Sequence, residues 1–190
     1  VYYLLFDKFN SDNLRLIKNE SETRNEIALL IAKELMQQGA RVFLLTYDPK
    51  EKQKLGDFVE VINKRYLKFQ GQYQRLLVMD IGEETVLGVN NEFSISYYEK
   101  SKEGRQFANS IEAIFEAKNV KLRSSRRNGE VFKDKANLYL AKNVLPAMTF
   151  IQVENQKIRK KGLVKADKEA IADWITKGIR NDYTNLSFED

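Results

Sequence analysis

Between Glu20 and Gln38 the apolar residues Ile27, Leu30, Ile31 and Leu35 recur at helical spacing, and Gly39 stands where such a helix stops. Val42–Thr46 follows at once as a short, unbroken apolar run of the kind buried inside a sheet. A helix that hands over to a buried strand through a tight Gly-Ala turn leaves few folds open. Both elements must cover apolar surface against another layer, and the arrangement that does so is an α/β domain.

The rest of the chain continues the alternation. Tyr2–Phe6 reads as a buried strand ending at Asp7, and Leu76–Met79 as another ending at Asp80. Phe93–Tyr98 alternates and reads as a half-exposed strand, and Pro146 opens a strand over Ala147–Val153. Helices are predicted over Phe58–Leu67, Arg105–Glu116 and Lys168–Ile179, the last with Ile171, Trp174, Ile175 and Ile179 turned inward. Asn137–Leu140 is short and reads as a strand or an extended stretch. The expected fold is a three-layer α/β sandwich, a mixed twisted sheet of about six strands with helices on both faces. Ser11–Asn19, Lys118–Lys135 and Asn155–Asp167 are polar and charge-rich, and read as surface loops or insertions.

Residues 1–190 are expected to form one domain. The chain opens at Val1 inside what reads as a strand, so this domain is expected to come from a longer chain. No apolar run reaches the length of a membrane span, and no signal peptide is seen.

The chain contains no histidine and no cysteine. Disulfides, thiolate metal sites and imidazole chemistry are therefore excluded. The net charge of +5 and pI near 9.2 favour anionic partners such as wall polymers, acidic lipid surfaces or nucleic acid. Two clusters carry much of the basic charge: Lys118, Lys121, Arg123, Arg126 and Arg127, then Lys157, Arg159, Lys160, Lys161 and Lys165. Neither has much aromatic interleaving or a nucleic-acid reader motif, so solvated loops are the expectation and no nucleic-acid partner is expected.

Several segments, in order, resemble the zinc-dependent N-acetylmuramoyl-L-alanine amidases, the catalytic domains of bacterial autolysins, cell-division amidases and some phage lysins. They are EIALLIAKELMQQGARVFLLTYD (Glu26–Asp48), VEVINK (Val59–Lys64) and FSISYY (Phe93–Tyr98) followed by FANSI (Phe107–Ile111). NLYLAKNVLPAMTFIQVE (Asn137–Glu154) and EAIADWITKGIRNDY (Glu169–Tyr183) complete the series. That family holds zinc with two histidines and a glutamate, leaves one position open for water, and uses a second glutamate as general base.

Carried over position by position, the resemblance implies a degenerate site. The first histidine, in a D-x-G-H pattern, corresponds to Asn10 of Asp7-Lys8-Phe9-Asn10. The ligand glutamate corresponds to Glu20, or to Glu22 with a small shift. The second histidine corresponds to Asp80, and the base to Ile151, with Glu154 the nearest carboxylate. An amide is a poor zinc ligand, and an apolar side chain takes no proton from water. Lys8 and Phe9 replace small residues beside the first ligand.

The resemblance therefore implies a catalytically inactive amidase-like domain, without zinc or any other cofactor. It would act as a peptidoglycan-binding or protein-docking module in the periplasm or outside the cell, with Asn10, Glu20, Asp80 and Glu154 marking the former cleft. The alternative is an N-acetylmuramoyl-L-alanine amidase with a rebuilt non-histidine metal site. In that case Asp7, Glu20, Asp80 and Glu154 would converge on Mg²⁺, Mn²⁺ or Ca²⁺ at the strand ends. A third expectation is a structural subunit of an envelope assembly, with Tyr66, Tyr73, Tyr97 and Tyr98 as contact anchors.

Overall fold

In a computed structural model of the chain, the residues described are 1–6, 8–9, 11–17, 22–46, 54–81, 85, 87, 91–120, 122–123, 128–155 and 166–186. The strands are β1 (Tyr2–Leu5), β2 (Lys8–Phe9), β3 (Leu16–Ile17), β4 (Val42–Leu45), β5 (Arg75–Ile81), β6 (Asn91–Tyr97) and β7 (Ala147–Asn155). The helices are α1 (Glu22–Gln37), α2 (Leu55–Lys68), α3 (Lys102–Ala117), α4 (Asn128–Val131), α5 (Lys135–Asn143) and α6 (Lys168–Leu186).

Five strands form one mixed sheet in the order β4-β1-β5-β7-β6. The first four run parallel, and β6 is antiparallel to β7 along the edge. β2 and β3 form a separate two-stranded hairpin. Among the described residues the main sheet therefore has five strands where about six were expected. The difference is Asn137–Leu140, which lies inside α5. Asp134 caps that helix, its Oδ1 accepting the Asn137 amide at 3.0 Å.

The sheet divides two cores, because strand side chains alternate between faces. On one side Leu4, Met79, Ile95, Ile151 and Val153 pack against α1, α3 and α6. On the other, Leu5, Val78, Met148 and Phe150 pack against α2, α4 and α5. Helices thus cover both faces of a mixed sheet, as the sequence implied. α1 and α6 both pack with the sheet in the first layer, and α6 also crosses α3 tightly at Gly178.

The connections position the site. From β1 the chain crosses through α1 to β4 on one side, then through α2 to β5 on the other. The strand order reverses between β1 and β5, and such a point opens a crevice beyond the C-terminal strand ends. The hairpin segment lies beside it, with Phe9 in its lining. Leu14 O accepts the Leu55 amide at 2.8 Å, and Lys54 N donates to Asp57 Oδ2 at 2.7 Å to start α2.

Candidate functional site

A cleft of about 350 Å³ lies at this crevice. Its floor is apolar, with Leu5, Val78 and Phe150 from the sheet and Leu55 and Leu140 from the covering helices. Register sets its polar wall. Asp80 on β5 pairs with Gln152 on β7, which pairs with Ser94 on β6. These three residues form one polar row across three strands, directly beyond the row of Val78, Phe150 and Ser96. Ser94 Oγ donates to Gln152 Oε1 at 3.4 Å.

Glu154 lies two residues past Gln152 and lines the same cleft. Arg123 Nη1 donates to Glu154 Oε2 at 3.4 Å, and the Arg123 amide is anchored on Phe93 O at 2.7 Å. Both side chains are partly exposed, so the pair is worth little in stability but does set a cation beside a carboxylate. Asp134 completes the wall. Its Oδ2 accepts from the Ser11 hydroxyl while its Oδ1 caps α5. The described charges in the lining are Asp80, Glu130, Asp134 and Glu154 against Arg123.

Of the residues singled out from sequence, Asp80 and Glu154 are brought into one cleft. Ile151 is fully buried on the other face of the sheet, between Met79 and Ile95 in register and packed toward α3 and α6. Asn10, Glu20 and Asp7 lie outside the described residues, as does the side chain of Glu22. Phe9 lines the cleft, its ring 5.3 Å edge-on from Phe58. Arg123, in a basic cluster expected to be a solvated loop, is partly exposed and lines the cleft against Glu154. Lys121, Arg126, Arg127 and the cluster from Lys157 to Lys165 are outside the described residues. Of the four tyrosines, Tyr73 bonds inward to Asp182, and Tyr98 packs on Phe132 at 5.7 Å.

Sequence reading missed Asp134, Asn137 and Gln152. The signal for the first two was an Asp N-cap ahead of a helical turn, hidden because Asn137–Leu140 read as extended. Gln152 needed only the alternation within β7.

Zinc takes imidazole and thiolate donors by preference, and this chain has neither. Among the described residues, no group of three or more carboxylates could hold a metal ion. The described residues do not fit a zinc centre.

Comparison with solved structures places this arrangement. The CwlD amidase from Clostridioides difficile, solved in complex with the GerS lipoprotein, superposes with a TM-score of 0.58 at 14% identity, covering 97% of this chain and 98% of that one. An N-acetylmuramyl-L-alanine amidase from Mycobacterium smegmatis gives a TM-score of 0.59 at 14% identity, covering 97% of each chain. The chain has the amidase fold. The catalytic domain of the CD27L endolysin, which targets Clostridia difficile, adds a third likeness, with a TM-score of 0.55 at 17% identity over 95% of this chain and 96% of that one. No family model matches the sequence, and no curated protein matches it. At these identities the likeness is one of fold, spanning nearly the whole chain on both sides.

Proposed function

We propose that this is a catalytically silent amidase-fold domain of the bacterial cell envelope, periplasmic or extracellular, whose cleft binds peptidoglycan. The observation that carries the reading is the cleft itself. It sits at the switch point of an amidase fold and is lined by Asp80, Gln152, Glu154, Arg123 and Asp134, in a chain with no histidine. A concave, partly apolar floor ringed by a few polar groups suits a glycan or peptide ligand better than a flat protein contact. Hydrogen-bonding side chains remain to hold a ligand, while the imidazoles that would hold zinc and acidify its water are gone. Docking onto another envelope protein is the second partner class.

One observation favours a second reading, a hydrolase with a rebuilt oxygen-ligand site: Asp80 and Glu154 share the cleft. Two measurements separate the readings. The protein is equilibrated with zinc, manganese and calcium and its metal content is measured, and it is then incubated with purified sacculi. The silent-domain reading expects less than one equivalent of metal, co-sedimentation with sacculi and no released stem peptide. Co-sedimentation should weaken at least tenfold in Asp80→Asn combined with Arg123→Ala, the loss expected from removing two polar ligand contacts. Tightly held metal together with released stem peptides would overturn it in favour of the hydrolase. Absence of sacculus binding would leave envelope-protein docking.

A further inference from the structure

The end of the molecule opposite the cleft is built from the C-terminal turns of α1, α2 and α6 and the connections into β4 and β5. At this end the chain carries Arg41, Lys64, Arg65, Lys68 and Arg180, with Glu34 in the last turn of α1 and Asp182 in α6 as its carboxylates. Asp182 is buried and bonded to Arg75 and Tyr73, so it offsets none of these surface cations. Lys64 pairs with Glu60, but among the described residues Arg41, Arg65, Lys68 and Arg180 have no carboxylate partner. A groove of about 700 Å³ runs between the ends of α1 and α6, lined by Arg41, Arg180, Gln38, Gln72 and Tyr183, with no carboxylate among its described residues.

Two of these cations are held in place by aromatic rings. Arg41 lies over Phe69 and Arg65 over Phe43, each guanidinium carbon 4.2 Å from the ring centroid, and the two rings stack at 6.0 Å. A guanidinium on a ring face keeps its N–H edge for an anion.

Apolar side chains stand among the cations. Met36 is 60% exposed, Leu67 59% and Tyr183 54%, and Leu145, just ahead of β7, is exposed as well in a groove it shares with Lys100 and Glu103. Four of the six large hydrophobics left exposed among the described residues are therefore at this end. The α2 macrodipole accounts for Arg65 and Lys68 in the last turn of that helix. It does not account for Met36, Leu67 and Tyr183 standing in water beside them.

We infer that this end docks onto an anionic lipid bilayer. The cations meet headgroup phosphates, and Met36, Leu67, Leu145 and Tyr183 enter the boundary between headgroups and acyl chains. A soluble polyanion would make no use of the exposed apolar groups, and Phe43 and Phe69 are already covered, so they offer no stacking platform for bases. Docked this way, the protein turns its cleft away from the bilayer.

The test is co-sedimentation of the 190-residue chain with vesicles of phosphatidylcholine, alone or mixed with phosphatidylglycerol. Binding is expected only to the mixed vesicles. Lys68→Glu with Arg180→Glu should weaken it at least 25-fold, since each cation at an anionic surface contributes roughly fivefold. Lys118→Glu with Lys133→Glu makes the same change in net charge away from this end and should retain most of the binding. Met36→Ser with Leu67→Ser should weaken binding most where added salt has screened the charges. Thermal melts establish that each variant folds. Equal losses in the two charge-reversal pairs, or serine variants that bind as tightly as the parent, would overturn the inference. No peptidoglycan is present in this assay, so it fails or succeeds separately from the reading of the cleft.

Discussion

Asp182 is 1% exposed near the end of α6, and its charge is answered by Arg75 Nε at 2.7 Å and by the Tyr73 hydroxyl. Arg75 also lies over the Tyr73 ring, 4.3 Å from its centroid. Burial, opposed by Arg75 and reinforced by Asp182, pushes the Tyr73 phenol well above its usual range, so it remains a donor. Removing one member of such a pair leaves the other charge buried and unanswered. Asp182→Ala is expected to cost about 3–5 kcal/mol in chemical denaturation. Tyr73→Phe removes one bond to a charged acceptor and is expected to cost roughly 1.5–3 kcal/mol. Glu112 on α3 is shifted in the same direction, but it is a group that ordinarily carries charge at pH 7. Burial first, and then Glu116 one turn on, raise its pKa. A raised carboxyl favours the folded state while protonated, and that contribution is lost as pH rises through the folded value. At pH 7 the carboxylate is a net penalty, so Glu112→Gln should raise the melting temperature there. The gain should vanish at pH 3, where both states are neutral.

Among the elements, the contact between α3 and α6 depends on one small residue. A Cβ on Gly178 would stand 2.6 Å from the Ile111 Cα, against backbone that cannot turn aside. Helix propensity alone makes Gly→Ala favourable by about 1 kcal/mol. The clash should reverse the sign, and Gly178→Ala is expected to destabilise by about 1–3 kcal/mol, read from denaturant midpoints. Elements with long, regular apolar spacing were legible in the sequence: α1, α2, α3 and α6 were all recognised, though α6 runs on to Leu186. α5 was not. Its nine residues are too few for periodicity to separate helix from strand, and Asn137–Leu140 carries β-tolerant side chains. Its Asp134 cap was the available signal. The ends of β5 and β7 were placed short, at Met79 and Val153, while Gln152 lay inside the expected strand and was overlooked. Strand ends are set by pairing with neighbours, and the partner strands lie far away in sequence.

For the whole molecule, topology does what no segment does alone. The reversal of strand order between β1 and β5 opens the crevice, and residues as distant as Phe9, Asp80, Asp134 and Glu154 meet there. The Arg123–Glu154 pair sits at the rim of that cleft, partly exposed. Arg123→Ala should therefore leave stability within about 1 kcal/mol of the parent while weakening sacculus binding, which separates a ligand contact from a structural one. The sequence by itself determined the α/β class, the layered order of helices and strands, and the absence of imidazole and thiolate chemistry, because periodicity and composition are local properties. Asp80 and Glu154 were singled out as well, through the positions the family resemblance assigns to them. Only the tertiary structure decided that both open into one cleft and that Ile151 turns to the opposite core. It alone brought Asp134 and Arg123 to the same wall and gathered cations and exposed apolar residues of three helix ends at one end of the molecule. Each of these outcomes depends on register and crossover, which are fixed by contacts between residues far apart in the chain.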